Sequence, residues 1–251
     1  MGGVIHMQHH YTYTSFQDDV IQSPHQNAHL PENFNWRPNL VSQALVNPLA
    51  TGFAHLYRRT HHISVIGAEK LTPGAFIYAN HTQPVGDVFV PRTLPYPVSI
   101  IAGPANLGLP VIGKWLPAGR AIMLPSTRRQ YPQFLAAIKH AQMSGQLIVV
   151  YPEAHVWPYY TGIRPFDATS FHYPAQLQAP VFTMTTTYQA GSRPHHLQEI
   201  IYIDGPFSVD ESLPKKLQQQ ALFQQAQAQL QRRSQQSTAT VVQYTLEDEH
   251  D

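Results

Sequence analysis

A histidine and an aspartate that follow a short apolar run are the first residues in this chain that could do chemistry. Residues 80–87 read NHTQPVGD, which places His81 and Asp87 six positions apart, and they follow the run AFIYA at residues 75–79. An apolar run of this length predicts a buried strand. Histidine has a pKa near neutrality, so His81 can take a proton from a hydroxyl group. A carboxylate at its other ring nitrogen, such as that of Asp87, would hold the tautomer and stabilise the imidazolium that forms.

The spacing of this pair requires a turn. Positions i and i+6 do not share a face of a regular helix, and Pro84 and Gly86 disfavour a regular helix here. The sequence therefore predicts a turn that folds Asp87 back toward His81. The chain contains 15 histidines, so such a pair also arises often by chance, and its weight depends on a second block of residues.

The second block follows the most strongly apolar run of the chain. Residues 146–151 (QLIVVY) predict a buried strand, and Glu153 and His155 come directly after it. In α/β sheets, ligands bind at the carboxyl ends of the strands, so we expect this block at the same edge as the His81 block. Taken alone, Glu153 is more often a loop carboxylate or a helix cap. The residues of the two blocks that are predicted to bind substrate are Asn80, Thr82, Glu153 and His155.

The elements that must position these residues alternate along the chain. Strands are predicted at residues 63–67, 75–79, 98–102, 121–124, 146–151, 181–188, 199–203 and 240–246, and helices at 40–57, 106–115, 129–143, 168–177 and 213–235. This alternation indicates a single α/β domain over residues 39–251, with a mostly parallel or mixed sheet flanked by helices. The polar residues 1–38 are expected to form an irregular N-terminal arm that packs on the domain through Phe34 and Trp36.

Composition excludes several classes of protein. With 43% hydrophobic residues the chain is expected to fold, and its net charge of +1 gives no case for a basic nucleic-acid-binding face. The absence of cysteine excludes disulfides, thiolate metal sites and cysteine nucleophiles. We find no signal peptide and no apolar run of about 18 residues, so a cytoplasmic protein without a transmembrane helix is expected.

Several common motifs fail on inspection. Residues 108–114 (GLPVIGK) match the start of a phosphate-binding loop, but Trp115 stands where a serine or threonine would bind magnesium. The chain contains neither G-x-S-x-G nor H-E-x-x-H. His195, His196 and Glu199 could hold a metal ion, although such residues beside a strand are more often solvated surface. We therefore expect no metal and no cofactor.

The predicted helix at residues 40–57 has an apolar stripe and leads into a basic cluster of Arg58, Arg59, His61 and His62. This pattern is typical of a helix that lies on a membrane surface. The alternative is a helix that covers the core, with cations stabilising its C-terminus. Pro48 is expected to break or kink it.

Four blocks of the chain, taken in order, resemble the glycerolipid acyltransferases, a family that includes 1-acylglycerol-3-phosphate acyltransferase. The resemblance runs from about residue 63 to residue 188. Residues 80–87 resemble the catalytic His-Asp block of the family, 102–123 its second block, 151–154 (YPEA) its Pro-Glu-Gly block and 179–182 (APVF) its fourth. The strings NHTQPVGD and YPEAHVWPYYTGIRPF are similar to those of a bacterial branch of the family.

The chain departs from the family pattern in two ways. Five residues separate His81 from Asp87 where the family usually has four, and Gly86 could absorb the extra residue in a turn. The family also has arginines at the ends of its second and third blocks, associated with the phosphate of the acceptor, where this chain has residues 124–125 (LP) and 155–156 (HV). The residues that could substitute are Arg128, Arg129, His155 and Arg164, of which Arg164 is the candidate predicted to bind substrate.

The resemblance implies acyl transfer without a covalent enzyme intermediate, with His81 as general base and Asp87 as its partner. The implied co-substrates are acyl-CoA or acyl carrier protein as donor and a lysophospholipid or related glycerolipid as acceptor. The expected location is cytoplasmic, peripheral on the inner face of the cell membrane. Two alternatives stay open. The missing arginines favour a non-phosphate acceptor such as a glycolipid, and the five-residue spacing favours a catalytically inactive lipid-binding or membrane-surface protein.

Overall fold

The structure is a computed structural model that describes residues 9–21, 28–37, 39–110, 112–191 and 197–247. The candidate metal ligands His195 and His196 lie outside the described residues, as does most of the acidic C-terminal tail.

The described residues form nine strands and five α-helices. The strands are β1 (His9–Tyr13), β2 (Ser64–Ile66), β3 (Phe76–Ala79), β4 (Val98–Ala102), β5 (Ala121–Met123), β6 (Leu147–Val150), β7 (Val181–Ala190), β8 (Leu197–Phe207) and β9 (Val242–Leu246). The helices are α1 (Leu40–Thr60), α2 (Gly86–Phe89), α3 (Tyr131–Met143), α4 (His172–Leu177) and α5 (Lys215–Ser234). Short 3₁₀ turns occur at Ala68–Lys70, Val90–Thr93, Pro104–Gly108, Gly113–Trp115, Arg128–Gln130 and Thr169–Phe171.

A seven-stranded sheet forms the centre of the fold, in the order β2-β8-β7-β3-β6-β4-β5. Its neighbouring strands pair in parallel, except β7 and β8, which are antiparallel. The sheet is therefore mixed and mostly parallel, as the sequence predicted. The parallel arrangement of β3, β6 and β4 brings the loops after these strands to one edge.

The central strands β3 and β6 are four-residue apolar runs that are buried on both faces of the sheet. In β3, Phe76 and Tyr78 belong to one core cluster, and Ile77 and Ala79 belong to the other. The first cluster lies under α3, α4 and α5, of which the Gln-rich α5 contributes the buried positions that its helical spacing predicted. Leu222 and Ala226 belong to this cluster, and Leu230 is buried further along the same helix.

The predicted helix at residues 106–115 is wrong, because two separate 3₁₀ turns occupy this segment. Pro110 is the physical reason. It has no amide to donate, and the residue before a proline is driven to extended backbone, as Leu109 is, with φ −61° and ψ 130°.

Helix α1 presents most of its apolar residues to solvent. Only Asn47 and Ala54 are buried in it, whereas Leu49 is 76% exposed. The other exposed apolar residues of α1 are Leu40, Val41, Leu45, Phe53 and Leu56. The helix continues through Pro48, so the predicted break does not occur. No helix in the described ranges is both long enough and apolar enough to cross a bilayer.

The N-terminal arm contains a strand that the sequence did not predict. β1 pairs in parallel with β9, from His9 opposite Val242 to Tyr13 opposite Leu246, in a separate two-stranded sheet. Elsewhere in the arm, Trp36 Nε1 donates to the carbonyl of Met123 at 2.8 Å.

Candidate active site

The turn after β3 brings His81 and Asp87 into contact. His81 Nδ1 lies 2.7 Å from Asp87 Oδ2. The backbone amide of Asp87 donates to the carbonyl of Gln83 at 3.0 Å, which closes the turn into α2. Gly86 permits this closure, because a Cβ at that position would lie only 3.0 Å from Cβ of Gln83. The five-residue spacing is thus compatible with a formed pair.

Asp87 is fixed as an acceptor. Its Oδ2 also accepts the backbone amides of Thr82 at 2.9 Å and Gln83 at 2.8 Å. An ionised carboxylate only accepts hydrogen bonds, so Nδ1 of His81 carries the proton in this contact and Nε2 has a lone pair. Within the described ranges, no hydrogen bond engages Nε2, and the His81 side chain is 21% exposed. This geometry allows Nε2 to accept a proton from a bound hydroxyl group.

Tyr151 supports the pair from the next strand. The ring of His81 stacks on the ring of Tyr151 with centroids 4.5 Å apart, and the Tyr151 hydroxyl donates to the carbonyl of Asp87 at 2.6 Å. Because Tyr151 directly follows β6, the register of the parallel β3–β6 pair sets this contact.

Asn80 and Thr82, which the sequence predicted to bind substrate, are directed into the fold. Asn80 Nδ2 donates to the carbonyl of Thr186 at 3.0 Å, and its Oδ1 accepts the amide of Thr186 at 2.8 Å. Thr82 Oγ1 lies 2.8 Å from the hydroxyl of Tyr188. Both side chains are buried. Here they anchor the turn to β7, and their predicted contact with substrate stays a prediction.

Glu153 and Arg164 form a buried ion pair behind His81. Arg164 Nη2 lies 3.2 Å from Glu153 Oε2, and the Arg164 amide donates to Oε1 at 3.1 Å. The His81 amide donates to Oε2 at 3.4 Å. Burial raises the pKa of Glu153, and the charge of Arg164 opposes this rise. The two side chains are 0% and 1% exposed, so direct contact of either with substrate would require the pair to separate.

The remaining contacts of Arg164 also lie inside the protein. Its guanidinium donates to the carbonyls of His155 and Phe16 and lies 4.9 Å from the centre of the Trp157 ring. Arg164 therefore has the contacts of a positioning residue in this conformation. His155 is 40% exposed, and its Nδ1 lies 3.6 Å from Asp19 Oδ2.

The arm covers the loop that carries Glu153. Trp157 Nε1 donates to the carbonyl of Asp18 at 2.9 Å, and the Trp157 amide donates to the carbonyl of His81 at 3.0 Å. The Trp157 ring also contacts Tyr13 of β1 and stacks on Tyr244 of β9. The two-stranded sheet thus packs on the residue that ties the two blocks together.

Glu199 is a carboxylate at this site that sequence reasoning assigned to a different cluster. Its Oε2 accepts a hydrogen bond from Gln83 Nε2 at 3.0 Å. Burial, followed by the charge of Asp87, raises the pKa of Glu199 to about 8. The period of β8 could have indicated this position, because Glu199 is in phase with the buried Ile201 and Ile203.

The described side chains of this site do not form a metal-binding cluster. In the ranges that the structure describes, no group of three or more histidine, aspartate and glutamate side chains could hold a metal ion. Arg128 and Arg129, the other candidates for phosphate contact, are exposed in the 3₁₀ turn after β5.

Comparisons with known proteins agree with this geometry. A family model described as Acyltransferase matches residues 62–187, which include both blocks. The crystal structure of the 1-acyl-sn-glycerophosphate (LPA) acyltransferase PlsC from Thermotoga maritima superposes with a TM-score of 0.52 at 14% sequence identity. The match covers 78% of this chain and 83% of that chain, and it shows a shared fold. No curated protein matches the chain.

Proposed function

Because the chain belongs to the acyltransferase family, we propose that it moves a fatty acyl group from a thioester donor to a hydroxyl group of a lysophospholipid or related glycerolipid. The family and the fold that the sequence resembled are confirmed. The donor, the acceptor and the roles of individual residues belong to the proposal.

The observation that carries the proposal is the 2.7 Å contact of His81 Nδ1 with Asp87, which leaves Nε2 with a lone pair. Nε2 takes the proton of the acceptor hydroxyl group while the oxygen of that hydroxyl attacks the carbonyl carbon of the thioester. The carbon–sulfur bond then breaks, and the imidazolium returns the proton to the departing thiolate. General-base assistance of this kind typically accelerates a reaction by about 10²–10⁴-fold.

The other residues act by position. Asp87 holds the tautomer of His81 and stabilises the imidazolium. Glu153 and Arg164 fix the loop behind His81, and we assign contact with the acceptor to His155, whose side chain is 40% exposed. The thioester donor is acyl-CoA or acyl carrier protein, and the protein needs no resident cofactor.

A second candidate acceptor, one without a phosphate, is favoured by the charges at the site. Arg164 is already paired with Glu153, and His155 Nδ1 lies 3.6 Å from Asp19 Oδ2. An anionic head group would have to displace a carboxylate, whereas the hydroxyl groups of a glycolipid would not.

Helix α1 supports the proposal that the protein contacts a membrane surface. Its exposed apolar row is continuous with Arg58 and Arg59 in its last turn, and α1 has no acidic residue. Such a helix binds lipid through buried apolar area and attraction to anionic head groups. The Phe53 ring contacts Phe89 of α2 at 4.6 Å, so bilayer contact along α1 would bring lipid beside the His81 turn. We place the protein peripherally on the inner face of the cell membrane.

An acceptor panel tests the proposal. Purified protein is given acyl-CoA or acyl carrier protein donors, together with lysophosphatidate, other lysophospholipids or a monoacyl glycolipid, and the acylated product is identified by mass spectrometry. Product from any of these acceptors supports acyl transfer, and the acceptor that works separates the two candidates. Thiol release at the same rate with and without acceptors would instead indicate a thioester hydrolase. Absence of any release would support the inactive lipid-binding alternative.

A further inference from the structure

A groove of about 710 Å³ lies at the β5 edge of the central sheet. It is bounded by the arm, the start of α1, the start of β5 and α3. Ser99, which lines the groove, and Phe76 both pair with Ile148 in the sheet, so they lie at the same level along the strands. Phe76 precedes His81 by five residues. At about 3.3 Å per residue, the groove and His81 are roughly 16 Å apart along the strands, so this is a second site. A volume of this size is within the range of about 300–1,000 Å³ that small-ligand sites occupy.

The walls of the groove are largely apolar and leave room for a chain. Trp36, Leu40 and Ile122 line it, with Ala136 and Ala137 on the α3 side. The hydrogen bond from Trp36 Nε1 to the carbonyl of Met123 holds the indole ring in place. Leu40 is 79% exposed at the first residue of α1, so the groove opens at the end of the exposed apolar row of that helix.

The charges that line the groove are all of one sign. Its two arginines are Arg37 and Arg120, and its described lining contains no aspartate or glutamate. Arg120 is half-buried, with a backbone φ of 64° that side chains rarely adopt. Its guanidinium makes no hydrogen bond or ion pair with any residue that the structure describes.

A second arginine, Arg92, is not among the residues that line the groove but contacts Gly119, the residue before Arg120. Burial, followed by the charge of Arg120, lowers the pKa of Arg92 to about 10. Arg92 Nη2 donates to the carbonyl of Gly119 at 2.5 Å, while its Nε is buried and has no partner in the described part of the chain. Two desolvated cations without a carboxylate are costly unless an anion joins them.

We propose that this groove binds a long-chain fatty acid, with its carboxylate on Arg120 and its acyl chain between Trp36 and α3. A guanidinium presents two N–H groups that match the two oxygens of a carboxylate. Of the two arginines that line the groove, Arg37 is exposed and Arg120 is half-buried, so one desolvated guanidinium is available, which suits a monoanionic head group better than a phosphate. The alanines of α3 provide space for the chain, and the exposed row of α1 provides a route from a membrane. The site is independent of acyl transfer at His81.

Calorimetric titration of the full chain with laurate, below its micelle concentration, tests the proposal. We expect one saturable site per chain. Replacing Arg120 with glycine removes the guanidinium and suits the positive φ, so this variant folds. It should weaken laurate binding by about 10–100-fold, the usual value of a charge-assisted hydrogen bond. Ala136→Trp, at an exposed position, fills the groove and should abolish binding, whereas Lys139→Gln on the same helix should not change it.

Two further titrations identify the head group and distinguish this site from the catalytic one. His81→Ala should bind laurate as the wild type does, whether or not acyl transfer occurs at His81. Dodecyl phosphate and inorganic phosphate should bind more weakly than laurate. Equal laurate affinity in the wild type, Arg120→Gly and Ala136→Trp would overturn the proposal. So would the absence of saturable binding, tighter binding of either phosphate, or a loss of binding in His81→Ala.

Discussion

Replacing Glu199 with glutamine should remove a pH dependence from the stability of the protein. Glu199 is 8% exposed, accepts one hydrogen bond from Gln83, and lies close enough to Asp87 for the two carboxylates to repel. Its pKa rises from 4.5 to about 8 in the folded protein. A carboxyl group with a raised pKa binds its proton more tightly when folded. Its contribution to stability is therefore fully present below pH 4.5 and is lost as the pH rises through about 8.

The magnitude follows from the same shift. At about 1.4 kcal/mol per pH unit, the change from 4.5 to about 8 corresponds to roughly 4–5 kcal/mol of unfolding free energy as an upper value. Glutamine mimics the neutral carboxyl group and does not titrate. The Glu199→Gln variant should therefore match the wild type within about 1 kcal/mol at pH 5, and should exceed it by up to roughly 4 kcal/mol at pH 8–9.

Denaturant unfolding at pH 5, 7 and 9 measures this difference. Glu32→Gln, at an exposed position, is the matched control and should follow the wild-type pH dependence. The histidines titrate in all three proteins, so their contribution cancels in the comparison. A difference between Glu199→Gln and the wild type that stays constant from pH 5 to pH 9 would refute the reasoning.

Three further predictions concern the site and the membrane-facing helix. Asp87→Asn keeps the shape of the turn but loses the acceptor for His81, so kcat in the thiol-release assay should fall by about 10²–10⁴-fold, and an unchanged kcat would contradict this role. Arg164→Met leaves the buried Glu153 unpaired and should lower the free energy of unfolding by about 3–5 kcal/mol; adding Glu153→Gln should recover part of this loss, and an additive double variant would argue against the pair. Leu49→Glu should reduce co-sedimentation with anionic vesicles while sparing turnover of a soluble short-chain donor, and equal sedimentation would remove α1 from the membrane contact.

The sequence predicted correctly the central strands and the turn after β3, because both depend on residues that are adjacent in the chain. The apolar runs of β3, β4 and β6 specify strands buried on both faces, and the turn chemistry of Pro84 and Gly86 predicted that Asp87 returns to His81. Helix boundaries were less accurate where proline intervened. Pro110 replaced a predicted helix with two 3₁₀ turns, whereas α1 accommodates Pro48 within one continuous helix.

The contacts that the sequence did not predict join residues far apart in the chain. β1 pairs with β9 across more than 200 residues, and nothing in the polar string of β1 indicates its partner. Gln83 and Glu199 are 116 positions apart. The contact of Arg164 with the Phe16 carbonyl forms only when the arm folds over the loop, and the predicted contact of Arg164 with substrate stays a prediction. Such contacts depend on which surfaces meet in three dimensions.

The most direct test of the central claim is acceptor-dependent thiol release by the wild type and by His81→Ala, measured at pH 7.5 with the best donor and acceptor of the panel. His29→Ala is the matched histidine control, because His29 is exposed in the N-terminal arm and lies outside both blocks. If His81 is the general base, its loss should lower kcat by about 10²–10⁴-fold, while the control keeps kcat within about tenfold of the wild type. Turnover by His81→Ala at the wild-type rate would contradict the account.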